Sequence, residues 1–497
     1  MKRTSGLILL TALLLAASSC GDAQNVPQNT PDSGELSVQT EAVTEEAEPT
    51  TADLIRQTYA ETDLGGYEFR ILAPGSGGHF YYLVSDDCNE TWFEAPSGDV
   101  MNDAVYERNL HTEELINVKI VPVFENDTQK LQKQIQNSVT AGSDDFDVAL
   151  NRMDFLGASM TAGYLLNFYD IETINLKNPW WDANIVRDFT LFGNRLYFLA
   201  GDINFLDDYA VEVLYFNKRL REEADLLSPY EAVNNDNWNL DTFFSMCKAV
   251  ERDVNGDGKM LIADDLVGHA EVNDIVKHWI YPMGERSIDI GADGSLSLQI
   301  LTEHQVNAIE RLYDTMVNGT MSYMDDKAVT YFIDGHALFM GSMLGSINQL
   351  RDMKDEFGVV PMPKLNAEQE RYGEYISNGW TTAYGVPVTV SDANRAGTVM
   401  EVLCGMSTDT VRRTLYDVLF SAKLVRDTDS VRMLDIIFAS KSYDWAVDFS
   451  WGTEFQSLYN TIYTSKKNNF VSSAEKKEKS LTKKITQLVE KIRELEN

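Results

Sequence analysis

Asp253, Asn255, Asp257 and Gly258 stand at positions from which the oxygen ligands of a calcium loop converge, and Asp264 falls where such a loop places its closing carboxylate. Two positions depart from that pattern: Asp264 replaces the usual Glu, and Leu261 occupies a place that normally offers oxygen. A turn of Asp, Asn and Gly also holds together without an ion, so calcium and a plain turn are the two readings. Enzyme signatures are missing elsewhere. The chain has no HExxH, GxSxG or P-loop, and His79, His111, His269, His278, His304 and His336 form no ligand spacing on one helix. Glycoside hydrolysis stays open, because it needs only two well-placed carboxylates and the chain has 77 acidic residues. Cys88, Cys247 and Cys404 lack CxxC spacing, and the last two sit in apolar helical patterns, which reads as buried thiols without a disulfide framework or zinc.

The elements that position such residues can be read from periodicity. Phe69 and Ile71 alternate with Glu68 and Arg70, the pattern of a strand, and the run ends in Pro74-Gly75-Ser76-Gly77-Gly78. A helix over 101–115, a strand over 118–124, a helix opened by Asp127 with Leu131, Ile135, Ser138 and Val139, and a strand over 146–150 follow. This order implies a parallel α/β sheet with right-handed crossovers. Ligands of open sheets sit at the carboxyl ends of strands. The loop after Leu72 and the loop after Leu150, with Asn151, Arg152 and Asp154, therefore share one rim. Strands are also expected over 196–202, 211–216, 357–362 and 380–390, and helices over 240–251, 303–318 and most of 393–497, ending in a Lys/Glu-rich amphipathic helix over 474–497.

Composition narrows the class. The chain has 497 residues and a formal charge of −35, with 44% hydrophobic and 10% aromatic content, which is globular and long enough for two domains. An overall acidic surplus repels phosphate backbones and anionic headgroups, so no nucleic-acid partner is expected. Lys2 and Arg3, the apolar run Leu7 to Ala17, and Ala17-Ser18-Ser19-Cys20 read as a secretory signal over 1–19. The apolar run is about half the roughly 20 residues a spanning helix needs. Small residues before a cysteine resemble the lipobox of bacterial lipoproteins, which implies that lipidated Cys20 anchors the chain to the extracytoplasmic face of a membrane. Residues 21 to about 52 hold no Lys or Arg and show no apolar period, so 20–60 is expected to be a disordered tether.

Several runs, taken in order, resemble the extracellular solute-binding proteins of bacterial ABC importers, of the sugar and oligosaccharide type. They are Phe146-Asp147-Val148-Ala149 followed by Gly163-Tyr164-Leu165-Leu166; Tyr215-Phe216-Asn217-Lys218 with Leu220; Trp238 opening a helix; Asp253 to Lys259; Phe332 to Met340 around Asp334-Gly335; and Phe357 to Pro363. The resemblance covers nearly the whole chain after Cys20. It implies an α/β fold of two periplasmic-binding-protein-like lobes (type II), discontinuous in sequence and joined by hinge crossings. Lobe one is expected at 61–205 plus 343–392, and lobe two at 206–342 plus 393–497.

The same resemblance implies capture of a carbohydrate, expected to be an oligosaccharide, in the cleft between the lobes, and delivery to ABC permease subunits by a monomer without catalysis. A sugar offers C–H faces to rings and hydroxyls to carboxylates. The implied ligand residues are Asp154 on the rim, Trp380 before a late strand, Asp202, Phe205 and Asp208 (with Asp207) before a crossing strand, Trp279 beside Tyr281, and Trp451. Turn, cap or core roles compete at each of them. A lipoprotein presenting ligand to a membrane sensor and a surface glycoside hydrolase are the alternative functions.

Overall fold

The computed structural model describes residues 49–75, 88–271, 275–317, 322–324, 327–376, 379–419, 428–448 and 452–495, and residues 49–497 form one compact unit. The signal, Cys20, most of the tether, His79 and Trp451 lie outside the described residues.

The alternating strand Tyr67–Ala73 pairs in parallel with Val118–Phe124 on one side and with Val148–Arg152 on the other. Thr382–Gly385 adds an antiparallel edge, Thr382 opposite Arg152, which completes a four-stranded sheet. The crossover helices begin where side chains satisfy their free amides. Asp99 accepts from Met101 and Asn102 to start Val100–Ile116, and Asp127 accepts from Gln129 and Lys130 to start Thr128–Ala141. The second helix buries Leu131, Ile135 and Ser138, the face its periodicity anticipated.

A second sheet has five strands in the order Phe357–Val360, Glu212–Asn217, Ala337–Met343, Val267–Glu271 and Ser322–Met324. Glu212–Asn217 runs antiparallel to both its neighbours, whereas Val267–Glu271 runs parallel to both of its own. Three segments lie side by side where the chain passes between the sheets. Val211 bridges Ile376 and accepts from Leu344 at 2.8 Å, while Glu374–Tyr375 pairs in parallel with Lys441–Ser442.

Several placements differ from expectation. Phe357–Val360 falls within 343–392, the stretch expected in the first lobe, but its hydrogen bonds go to Glu212–Asn217 in the second sheet. Helix Ala393–Ser407, expected in the second lobe, packs on Val100–Ile116 beside the first sheet. Its Glu401 accepts the indole N–H groups of Trp180 and Trp181, each at 2.9 Å. The end of the tether is ordered: Thr51–Thr58 is a helix closed by a Thr50/Asp53 capping box, and its Ile55 is buried against Gly405. The run at 196–202 contributes two isolated bridges, Leu199 to Tyr384 and Gly201 to Trp181, rather than a strand. Cys88, Cys247 and Cys404 are buried free thiols.

Candidate functional site

The antiparallel register Thr382 opposite Arg152 sets the start of the late strand beside the end of Val148–Arg152. The Met153 amide donates to the Thr381 carbonyl at 3.1 Å, which puts Trp380 and Asp154 on the same rim. Trp380 is half-buried, with part of its ring against the core and part exposed. Asp154 receives a two-pronged contact from Arg152, Nε at 3.0 Å and Nη2 at 2.7 Å, and the guanidinium lies 5.3 Å from the Phe155 ring centroid. Burial raises the Asp154 pKa, and the Arg152 charge opposes that shift. Beside this rim, Phe155 and the helix residues Asp127, Gln129, Lys130, Gln132, Lys133 and Gln136 line a groove of about 540 Å³. A ring, a carboxylate–guanidinium pair and a row of amides on one surface can stack against C–H faces and exchange hydrogen bonds with hydroxyls.

The second sheet presents its own rim. Val267–Glu271 ends with Glu271 opposite Gly341, and Ala337–Met343 runs on to Met343, opposite Glu212 at the start of its antiparallel strand. Gly341 is required there, because a Cβ on it would come within 2.8 Å of the Glu271 carboxyl group. Glu271 accepts from His278 Nδ1 at 2.7 Å and Trp279 Nε1 at 2.9 Å, with His269 Nε2 at 3.3 Å. The other His278 nitrogen is 3.6 Å from Glu212, and Tyr375 stacks on the ring at 5.3 Å. Burial would raise the Glu271 pKa, but hydrogen bonds from His269 and His278 and the His charges hold it down at about 2. The crossing segments join the two sheets: Val211, just before the Glu212 strand, bridges Ile376, and Tyr375 beside it stacks on His278.

The candidates divide accordingly. Asp154 and Trp380 are brought together. Trp279 is fully buried and supports Glu271 through its N–H instead of offering a face, which corrects its expected role as the second lobe's platform. Phe205 is also fully buried, and its amide donates to Glu90 at 2.7 Å. Asp202 accepts from Thr408 at 2.7 Å, and burial pushes its pKa up to about 6. Asp208, expected in the cleft, is held by Arg412 and by Lys441 at 3.1 Å. Lys441 also meets Asp207 at 2.6 Å and Asp182 at 2.9 Å. Burial would lower the Lys441 pKa, but the three carboxylates hold it well above the ordinary value. Asp207 and Asp208 therefore tie the 202–209 segment to Arg412 and Lys441, and Phe205 ties it to Glu90.

The calcium-like loop is closed by its own amides. Asp253 accepts from Gly256 at 2.6 Å and Gly258 at 2.8 Å, Asn255 from Asp257, and Asp257 from Lys259. Asp264 is exposed, whereas Asp265 turns inward and accepts from Val254 and Leu261. Among the described residues no group of three or more His, Cys, Asp or Glu is arranged to hold a metal. Sequence reasoning missed Glu212, Glu271 and His278. A signal existed: a carboxylate interrupts the apolar run Val211-Glu212-Val213-Leu214, and His269 and Glu271 punctuate a strand that is otherwise apolar or small.

No protein-family model matches the chain, and no curated protein does. Solved structures do. M. tuberculosis UspC superposes with a TM-score of 0.55 at 10% identity, covering 82% of this chain and 98% of that one. A sugar transporter from Rhizobium etli in an open conformation gives 0.54 at 11%, covering 86% and 99%. UgpB from Mycobacterium tuberculosis in complex with glycerophosphocholine gives 0.52 at 12%, covering 86% and 99%. At these identities the likeness is one of fold. The chain has the two-lobe, periplasmic-binding-protein-like α/β fold of solute-binding proteins.

Proposed function

We propose that this chain is an extracytoplasmic solute-binding protein that captures a carbohydrate between its two rims and delivers it to an ABC importer. The observation that carries this reading is the placement of half-buried Trp380 beside the Arg152–Asp154 pair at the strand ends of the first sheet. Ligand touching both rims favours the closed arrangement of the lobes over the open one by the free energy of the contacts made only when shut. The groove along Thr128–Ala141 supports a ligand of more than one sugar unit. Similarity to a sugar transporter of the same fold supports the ligand class.

In this reading the cleft binds without hydrolysing, Cys20 carries lipid, and the chain works as a monomer beside its permease. Among the described residues no helix is long and apolar enough to cross a membrane. Isothermal titration calorimetry of residues 49–497 against neutral oligosaccharides of graded length tests the proposal. Saturating heats that return to baseline are expected. A sustained heat flow would replace capture with turnover, and silence across the panel would remove carbohydrate as the ligand.

A further inference from the structure

The acidity of the chain is not evenly spread. Between residues 466 and 493 there are nine Lys or Arg against three Glu, and no Asp or Glu occurs from 455 to 474, within a protein of net charge −35. The structure resolves how this surplus is displayed. Phe470–Glu494 is a single 25-residue helix that buries Phe470, Ala474, Leu481, Ile485, Leu488, Val489 and Ile492 along one side. Lys477 and Lys484 bend toward the neighbouring helix, where they meet Glu454. Lys476, Lys479 and Lys483 are spaced three and four residues apart, so they form one stripe on the opposite, exposed side. None of these three has an ion-pair partner among the described residues, and Lys466, Lys467 and Lys491 are exposed near the same helix.

We propose that this outer face docks on an anionic phospholipid bilayer. A straight helix of this length lays its lysines along a line, which suits a flat, continuous field of negative charge. The acidic bulk of the protein repels such a surface only where it comes within screening range. Salt screens charge over roughly 8 Å, and a helix is itself about 10 Å across, so the attraction is set by the face that touches. The positive amino end of the helix dipole adds to Lys466 and Lys467 at one end of the stripe.

The test uses residues 49–497, after cooperative melting shows that the fragment is folded, with vesicles of pure phosphatidylcholine or of phosphatidylcholine holding one-third phosphatidylglycerol. Binding to the anionic vesicles alone is expected, and it should weaken as salt rises from about 0.05 to about 0.5 M. Each lysine removed should cost about fivefold in affinity, so K476E/K479E/K483E should bind at least 20-fold more weakly while melting like the parent. Equal binding to both vesicles, no binding to either, or unchanged binding of the variant would overturn the proposal. Sedimentation separates the other occupant: self-association lost in the variant, without vesicle binding, would assign the face to a second copy of the chain.

Discussion

The indole N–H of Trp279 donates to Glu271 at 2.9 Å, so a buried ring holds in place a carboxylate at the end of a strand. Trp279→Phe keeps most of the ring and removes that donor. Leaving a buried acceptor short of a hydrogen bond costs about 1–3 kcal/mol, which urea unfolding at neutral pH measures. Glu271 has its own acid signature. Its pKa of about 2 lies below the ordinary 4.5, so its contribution is fully present above the ordinary value and is lost as pH falls toward 2. Between those limits the parent should lose more stability than Glu271→Gln.

Trp380 stands half-buried at the rim beside Asp154, so its removal should affect binding more than folding. Trp380→Ala is expected to weaken carbohydrate binding by about 2 kcal/mol, the scale of an aromatic anchor. Calorimetry and a thermal melt on the same sample separate the outcomes: unchanged affinity with a large drop in melting temperature would make this ring part of the core.

Glu90 is fully buried and accepts from the Phe205 amide at 2.7 Å, the Leu206 amide at 2.9 Å and the Thr382 hydroxyl at 2.8 Å. Burial pushes its pKa up to about 7 from 4.5, with the amide hydrogen bonds resisting. The folded state therefore keeps a proton that the unfolded chain releases, and stability falls as pH rises from about 4.5 to about 7. Glu90→Gln should remove this loss, so it stabilises at pH 8 by about 2 kcal/mol more than at pH 5. A denaturant series at the two pH values reads the difference.

Lys441 meets Asp182, Asp207 and Asp208, all buried. Lys441→Met strands three carboxylates and should cost about 3–5 kcal/mol at pH 8. Burial and the neighbouring acids raise Asp207 to about 6, so part of the stranded charge is neutralised in mild acid. The variant should accordingly be less impaired at pH 5 than at pH 8 in thermal melts, and equal impairment would mean that lost packing dominates.

Local pattern made much of the scaffold legible. Alternation marked Tyr67–Ala73, Asp127 marked the start of its helix, and the strand–helix order gave the parallel sheet and the rim that holds Asp154. It misjudged Phe357–Val360 and Ala393–Ser407, because neither strand partners nor helix packing are encoded in the segment's own periodicity. Aromatic residues were the hardest to assign. Trp279 and Trp380 read alike as rings near strand ends, yet one is sealed inside and the other reaches the rim.

The same division holds for charge. Composition alone established a strongly acidic chain, and the sequence located its Lys/Glu-rich amphipathic helix, because charge and helical period are properties of consecutive residues. Which acids meet each other was settled only in three dimensions. Asp202, Asp207 and Asp208 look like one solvated loop, but the crossing folds the distant Arg412 and Lys441 onto them, and burial then turns exposed-looking carboxylates into a structural knot. Glu212, Glu271 and His278 converge for the same reason: hydrogen bonding between strands far apart in sequence brings their ends to one rim, a proximity that no local pattern contains.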